Sequence, residues 1–337
     1  MEGGSLLRIG VIGTGAVSQI VHVPIFSERE DVHLLAVADV DSHKAEALSE
    51  RFGVPLVLSA DALITHDELD AVVICAPNHL HEEMAITALQ AGKHVFVERP
   101  LAISADGVSR VLDAAESSSR VLAVGMPHRF RPGVMAMRNS VAGNELGSIY
   151  AVRGSWMTRA VPGRHLGWRE DPELAGGGAL VDLGVPALDL CLWLIGFPEV
   201  RRVSCVLGPP GISIEGSGTL MAETTDGVAL TVEVSNRLFA SEDQYYARVM
   251  GTEGSGSLPP LQVFKQLGGR PSEVTPRQPR PSGGENPYTN AYRRLLEDFV
   301  HQATGRCEIE LPREQVQLMT LIEAAYRAAD SGQEVEL

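Results

Sequence analysis

The feature that most constrains this chain is its opening. The apolar run Leu7-Arg8-Ile9-Gly10-Val11-Ile12 passes directly into Gly13-Thr14-Gly15-Ala16-Val17-Ser18, and Asp39 closes the next apolar run, Val32 to Ala38. Short apolar runs bounded by glycine predict buried parallel strands. Gly13 permits the tight turn, Gly15 lets the backbone approach a pyrophosphate, and small Ser18 stands where the helix packs on the strand. A helix entered through Ala16 and Val17 points its first N–H groups at the phosphates. Asp39 has about the spacing of the acid that accepts from an adenosine ribose. A glycine-rich structural turn is the competing reading, and the second apolar run with its terminal acid weighs against it.

A chain of 337 residues suggests two domains, and a 44% hydrophobic content supplies real cores. No apolar run approaches the ~20 residues of a membrane span, and Met1 to Ser5 lacks the basic and apolar regions of a secretion signal. The expectation is therefore a cytoplasmic protein without a membrane partner. A net charge of −15 argues against nucleic acid. Between Met126 and Arg169, however, Arg129, Arg131, Arg138, Arg153, Arg159, Arg164 and Arg169 face Glu145 alone. This island is either a solvated face or a set of forked donors for an anionic or polyhydroxylated ligand. Cys75, Cys191, Cys205 and Cys307 have no metal-ligand spacing and read as small core hydrophobes, and no metal is expected.

Up to Gly125 strands and helices alternate. Ala45 to Phe52 is a helix ended by Gly53, Ala71 to Cys75 a buried strand stopped by Pro77, His81 to Ala91 a helix, His94 to Val97 a strand, and Ala105 to Ser117 and Val121 to Val124 a further pair. This pattern demands a doubly wound parallel sheet over 1–125. From Arg131 the rhythm changes to strands at Ile149 to Trp156, Val200 to Leu207, Gly218 to Thr224, Val228 to Asn236 and Tyr245 to Met250, with helices at Ala179 to Leu194, Asn290 to Thr304 and Arg313 to Ala329. The second domain, 126–337, is thus expected to carry a large, mostly antiparallel open sheet, with an unstructured loop from Gly268 to Asn286.

Several motifs then occur in order: the glycine fingerprint, Ala76-Pro77-Asn78-His79-Leu80-His81, Ala91-Gly92-Lys93-His94-Val95, Glu98-Arg99-Pro100-Leu101, Arg129-Phe130, Glu145-Leu146-Gly147, and Gly176-Gly177-Gly178-Ala179-Leu180-Val181-Asp182-Leu183-Gly184. In this series the chain resembles the Gfo/Idh/MocA oxidoreductases along nearly its whole length. The resemblance implies a Rossmann domain followed by an α/β domain, and oxidation or reduction of sugars, cyclitols and related polyols with NAD, NADP being the less expected cofactor. It implies cofactor contacts from Gly13, Gly15, Ala16, Val17, Asp39, Ala76, Pro77, Asn78, His81, Glu98 and Arg99. Substrate contacts would come from Arg129, Trp168, Arg169 and Asp182, in a homodimer or homotetramer.

Two departures stand out. The family's Glu-Lys-Pro is Glu98-Arg99-Pro100, and its catalytic histidine, four residues after the matched Asp182, is Pro186. Guanidinium does not deprotonate in proteins, so Arg99 can orient an oxygen but not accept its proton. Pro186 can move no proton and lacks an N–H, so a kink is expected between Asp182 and Pro186. The remaining candidates for proton transfer are Asp182, as a shielded carboxylate, His128 and His165. Each has a structural alternative: Asp182 as partner of a backbone group or arginine, His128 as a satisfied loop histidine, His165 as an exposed one. Tyr288 and Tyr292 are phenol donors or packing residues. Loss of both titratable groups also leaves open a non-enzymatic NAD-binding sensor, and the resemblance admits an NAD-dependent lyase or glycosidase.

Overall fold

Six apolar runs form one parallel sheet: β1 (Leu7–Ile12), β2 (Val32–Ala38), β3 (Leu56–Leu58), β4 (Ala71–Ile74), β5 (His94–Val97) and β6 (Leu122–Val124), in the order β3-β2-β1-β4-β5-β6. β1, β2 and β4 are buried at almost every position, which is why they read as continuous apolar runs without alternation. The order reverses between β1 and β4, so the glycine loop after β1 and the Ala76-Pro77-Asn78 segment after β4 meet at the switch point of the sheet. Helices Ser42–Phe52 and Ala105–Ser118 have side-chain caps at Asp41 and Ser104, and Gly53 ends the first in the left-handed region. The computed structural model describes residues 6–161, 167–211, 214–278 and 286–337.

The chain divides into two compact units, Met1–Gly125 with Tyr292–Val316, and Met126–Ala291 with Gln317–Leu337. The uninterrupted second domain expected over 126–337 is thereby corrected, because Tyr292–Val316 returns to the first unit. Nothing local announces this. Tyr292, Leu296 and Phe299 lie on an amphipathic helix, Pro287–Ala303, whose pattern does not say which core it serves.

The second unit carries a nine-stranded sheet: β7 (Ile149–Arg159), β8 (Val200–Gly208), β9 (Ser217–Thr224), β10 (Ala229–Leu238), β11 (Gln244–Gly251), β12 (Gly254–Leu258), β13 (Gln262–Leu267), β14 (Arg270–Glu273) and β15 (Val335–Glu336). Every pairing is antiparallel except that of β7 with β10. Strands β9 and β10 alternate buried and exposed residues, as a sheet with one covered face must. Helix Val185–Ile195 rests on β7, β10 and β11. The loop expected from Gly268 to Asn286 is in part β14, because Gly268 and Gly269 both take positive φ and close a hairpin onto β13.

The helical stretch Pro172–Ile195 is long and apolar enough to cross a bilayer by length and composition, which the search for apolar runs missed. Since 83% of its apolar window is buried inside the protein, it is a core helix. Its middle is a π-turn, Leu180–Gly184, in which the Val185 N–H bonds to Leu180 O, five residues back. Pro186 then sits in the first turn of Val185–Ile195. Proline has no N–H and its ring collides with the carbonyl four residues back, so the widened turn is how the helix continues through it. The first unit repeats the device: π-turn Ser18–His22, a Val23 N–H bonded to Ser18 O, then Pro24 in helix Val23–Ser27.

Candidate active site

In the first unit the glycine loop is pinned from below. Gly13 N–H donates to Ala38 O (2.8 Å) and Cys75 N–H to Ile12 O (2.8 Å). Gly13 has φ +88°, and a Cβ there would lie 2.5 Å from the Cys75 carbonyl oxygen, so both conformation and space require glycine. Gly15 differs: a Cβ there meets nothing within 4 Å. Together with the N–H groups of the helix entered at Ala16 and Val17, that open space fits a dinucleotide diphosphate.

Asp39, at the end of β2, takes the Thr14 N–H (2.6 Å) and hydroxyl (2.8 Å) on Oδ2 and the Asp41 N–H (2.9 Å) on Oδ1. The residue expected at the ribose therefore also holds the shape of the glycine loop. Beside it Val40 is fully exposed and brings no charge, while Lys44 is drawn to Asp41 (3.1 Å) and His43 to Glu46 (3.7 Å).

Beyond β4 and β5 the motif residues divide by role. The ring of His81 is buried, with Nδ1 2.7 Å from Pro100 O and Nε2 2.8 Å from Ala76 O. Burial, opposed by those carbonyls, holds its pKa below the ordinary value, and the single N–H of the neutral ring serves either oxygen. His81, expected against the cofactor, is thus a tie between the Ala76-Pro77-Asn78 and Arg99-Pro100 segments.

Glu98 is likewise committed: Oε1 lies 2.7 Å from His22 Nε2 and Oε2 accepts the Tyr292 hydroxyl proton (3.0 Å). Burial penalises a charged His22, but the Cys75 sulfur and the Glu98 carboxylate outweigh it and raise the pKa to about 10. Burial likewise opposes the Glu98 charge, yet His22, Arg99 and Tyr292 hold its carboxyl below the usual range. Glu98, expected at the cofactor, is in an ion pair with the buried His22 ring, and this pair fixes the chain entering Arg99. His22 and Tyr292 carry this anchor; the sequence left Tyr292 open as a phenol donor or a packing residue and assigned His22 no role. The 76- and 194-residue separations from Glu98 left no local signal.

In the second unit Asp182 projects from the π-turn with its side chain 45% exposed, its Oδ1 3.9 Å from Nε of Arg169. Arg169 in turn lies over the Trp168 ring, 4.2 Å from its centroid. Three of the residues expected to touch substrate are thus neighbours. The glycines before Asp182 are braced by Glu215, whose Oε1 accepts from Gly178 N (2.9 Å), Leu180 N (3.0 Å) and the Tyr326 hydroxyl (2.7 Å). A Cβ at Gly178 would come within 2.2 Å of Glu215 O, which explains the small residue there.

His128 is buried inside an aromatic box: Trp156 edge-on at 4.6 Å, Tyr245 at 6.4 Å and Tyr288 at 6.5 Å. Trp156 and Tyr245 are cross-strand partners of β7 and β11, and Arg131 donates to the Tyr245 hydroxyl (2.6 Å). Arg129, expected on substrate, gives its guanidinium to the buried Asp189 through Nε (2.9 Å to Oδ2) and a second bond to Oδ1. It also covers the Phe197 ring at 5.3 Å. The structure makes it a tether of the Pro127–Phe130 turn to helix Val185–Ile195.

His165 lies outside the described residues. Among the described residues no group of three or more His, Cys, Asp and Glu is placed to hold a metal. A cavity of about 540 Å³ lined by Leu7, Asp70, Lys93, His94 and Arg120 lies at the amino ends of β1 and β5. Ligands of doubly wound sheets bind at the opposite, carboxyl ends, so the glycine loop locates the site and that cavity does not.

Residues 7–126 match the model of an oxidoreductase family with an NAD-binding Rossmann fold, and residues 134–257 match the associated C-terminal domain. The chain is 30% identical to D-glucoside 3-dehydrogenase of Escherichia coli, over 99% of this chain and 98% of that protein. It is also 30% identical to an NADP(+)-dependent D-xylose 1-dehydrogenase of Haloferax volcanii, over 98% and 100% respectively. Among solved structures, GenD2 from gentamicin A biosynthesis, in complex with NAD, superposes with a TM-score of 0.85 at 28% identity, covering 99% of this chain and 97% of that one.

Proposed function

This chain belongs to the Gfo/Idh/MocA family of NAD(P)-dependent oxidoreductases, and on that premise we propose that it oxidises or reduces a sugar, cyclitol or related polyol at one carbinol or carbonyl carbon. The observation that carries this reading is Asp182, a half-exposed carboxylate on a π-turn at the family's substrate motif, one turn before the proline that replaces the usual base. π-turns recur at functional sites because they re-aim a side chain without ending the helix.

When bound, the dinucleotide supplies the hydride acceptor or donor. In the oxidative direction Asp182 takes the proton of the reacting hydroxyl on a carboxylate oxygen; Arg99, a guanidinium that cannot accept that proton, serves as a hydrogen-bond donor. Arg169, stacked on Trp168, steadies the Asp182 carboxylate. His128, enclosed by three aromatic rings, is the second candidate for the proton.

Preference for NAD over NADP rests on Asp39 beside uncharged Val40, where a 2′-phosphate meets a carboxylate and no cation. Exposed Val206 and Met221 on neighbouring strands β8 and β9 support a homo-oligomer closing over the open sheet. Absence of the Lys and His side chains favours, as a second reading, an NAD-binding sensor that does not turn over.

The test is nucleotide reduction followed at 340 nm with glucosides, pentoses, hexoses and cyclitols, in parallel with both nucleotides. The proposal expects turnover of at least one polyol with NAD favoured. Tight NAD binding with no turnover across the panel supports the sensor and overturns the enzyme.

A further inference from the structure

The first turn of a helix leaves N–H groups without helical partners, so a helix that starts inside the protein needs acceptors from elsewhere. The helix that carries Asp182 begins at Ala179, directly after Gly176-Gly177-Gly178, and Ala179 supplies no side-chain cap. Glu215, 35 residues beyond Leu180, takes the place of a cap. Its carboxylate Oε1 accepts from Gly178 N (2.9 Å) and Leu180 N (3.0 Å), and its backbone oxygen accepts from Ala179 N (2.9 Å). Three consecutive donors are thus held by one residue, and its negative charge suits the positive end of the helix. Asp182 is tied to the same peptides, because its own N–H donates to Gly178 O (2.9 Å).

Glu215 is itself fixed from two sides. The next residue, Gly216, donates its N–H to Gly208 O (2.9 Å) and accepts from Asn236 N (2.9 Å), which locks the chain between the ends of β8 and β10. From the other side Tyr326, on helix Glu314–Ser331, donates its hydroxyl to Glu215 Oε1 (2.7 Å). Burial and the adjacent carboxylate push that phenol well above its ordinary range, so it stays a donor. The glycine run leaves the room in which this clamp closes. Gly177 has φ +146°, and a Cβ there would collide with the Tyr326 hydroxyl, as one at Gly178 would with Glu215 O. The direction in which a side chain leaves a turn is set by the backbone that carries it, and the Asp182 carboxylate leaves a π-turn whose entry Glu215 holds.

We infer that Glu215, backed by Tyr326, is a positioning residue for Asp182: it fixes the entry of the π-turn and, through it, the direction of the carboxylate that takes the substrate proton. The inference rests on the proton-transfer role proposed for Asp182. Glu215 takes no proton in this scheme. Its effect on rate comes from geometry, since a reacting group displaced by about 1 Å loses roughly 10²-fold.

The experiment measures kcat and KM on an accepted polyol with NAD for Glu215→Ala and Glu215→Gln, each alone and combined with Asp182→Asn. Amide hydrogen exchange over 176–184, resolved by mass spectrometry, is followed in the same variants. Glu215→Ala is expected to lose ~10-fold or more in kcat and to speed exchange of the turn, with NAD affinity unchanged. Glu215→Gln, whose amide oxygen still accepts, is expected to restore kcat to within ~3-fold and to restore slow exchange. In the Asp182→Asn background Glu215→Ala is expected to cost no more than ~2-fold, because a residue acting through Asp182 has nothing left to position, whereas a merely structural loss adds in full. The inference is overturned by unaltered kcat or unaltered exchange in folded Glu215→Ala, or by a full further loss in the double variant. If Asp182→Asn alone keeps its turnover, or no polyol is accepted, the role of Asp182 falls and this inference falls with it. Failure of the clamp alone looks different: Asp182→Asn loses its rate and Glu215→Ala does not. Should Glu215→Ala fail to fold, Glu215→Asp, which keeps the charge and withdraws it by one methylene, takes its place in the same cycle.

Discussion

Two π-turns, one in each unit, use the same backbone device in opposite surroundings. At Ser18–His22 the widened turn is followed by Val23-Pro24 and drives the fully buried His22 ring onto Glu98, whose side chain is 13% exposed. At Leu180–Gly184 it is followed by Val185-Pro186 and leaves Asp182 nearly half exposed, 3.9 Å from an equally open Arg169. The difference is what surrounds the side chain. A group sealed among Phe26, Phe96 and Tyr292 is bound to one partner and serves position. A group open to solvent beside a long arginine side chain can change partners, which the role proposed for Asp182 requires.

The strongest way to break this comparison is Glu98→Ala. It leaves a buried imidazole and the Tyr292 hydroxyl without their acceptor, and a loss of about 3–5 kcal/mol is expected in denaturant unfolding. A change below about 1 kcal/mol would show that the pair is not a structural anchor. Next in size is Arg99→Ala, expected to lower turnover roughly 10²-fold by removing an oriented donor, with Arg99→Lys retaining or raising it. Normal turnover by the alanine variant would remove Arg99 from the reaction.

Asp39→Ala is expected to cost NAD roughly tenfold in affinity and to narrow its advantage over NADP, read by fluorescence titration of both reduced cofactors. Part of that loss is indirect, since Asp39 also holds Thr14. Tighter NADPH binding by the unaltered protein would contradict the assignment of Asp39.

The pH dependence of stability sharpens the buried side of the comparison. His22 has its pKa raised from 6.5 to about 10, so its stabilisation is complete below about 6.5 and is lost as pH rises through about 10. Glu98 is lowered from 4.5, so its contribution is present above that value and is lost as pH falls through its folded-state pKa. The pair therefore stabilises most between about 4.5 and 6.5. Melting temperature is expected to decline from pH 7 to 10 more steeply in the unaltered chain than in His22→Gln, and equal slopes would refute the paired state. The smallest effect is expected at the open turn: Asp182→Asn should move stability by less than about 1 kcal/mol, because its partner is exposed and distant.

Much of the first unit was legible because its determinants are local. Strand, glycines, helix and Asp39 follow one another in register, and the change from alternating β and α to successive strands after Gly125 marks the start of the second sheet. What escaped depends on contacts distant in sequence. Glu98 meets Tyr292 across 194 residues, and the return of Tyr292–Val316 to the first unit is invisible to any window. His81 sits in a motif that suggests a ligand, yet both ring nitrogens face carbonyls of its own unit. Arg129 was grouped with an arginine island, and only the fold brings Asp189 to it. The kink expected at Pro186 became a π-turn, because a core helix flanked by β7, β10 and β11 cannot stop without exposing its apolar face.

The measurement that bears most directly on this account is NAD-dependent turnover of one accepted polyol by the unaltered chain, Asp182→Asn, His128→Ala and Pro186→His, each across pH. Asp182→Asn is expected to lose at least ~10²-fold in kcat, with the limb that reports the base displaced or absent, while Pro186→His brings no gain. Unchanged rates and an unchanged pH profile in Asp182→Asn would contradict the claim that the open π-turn carries the proton.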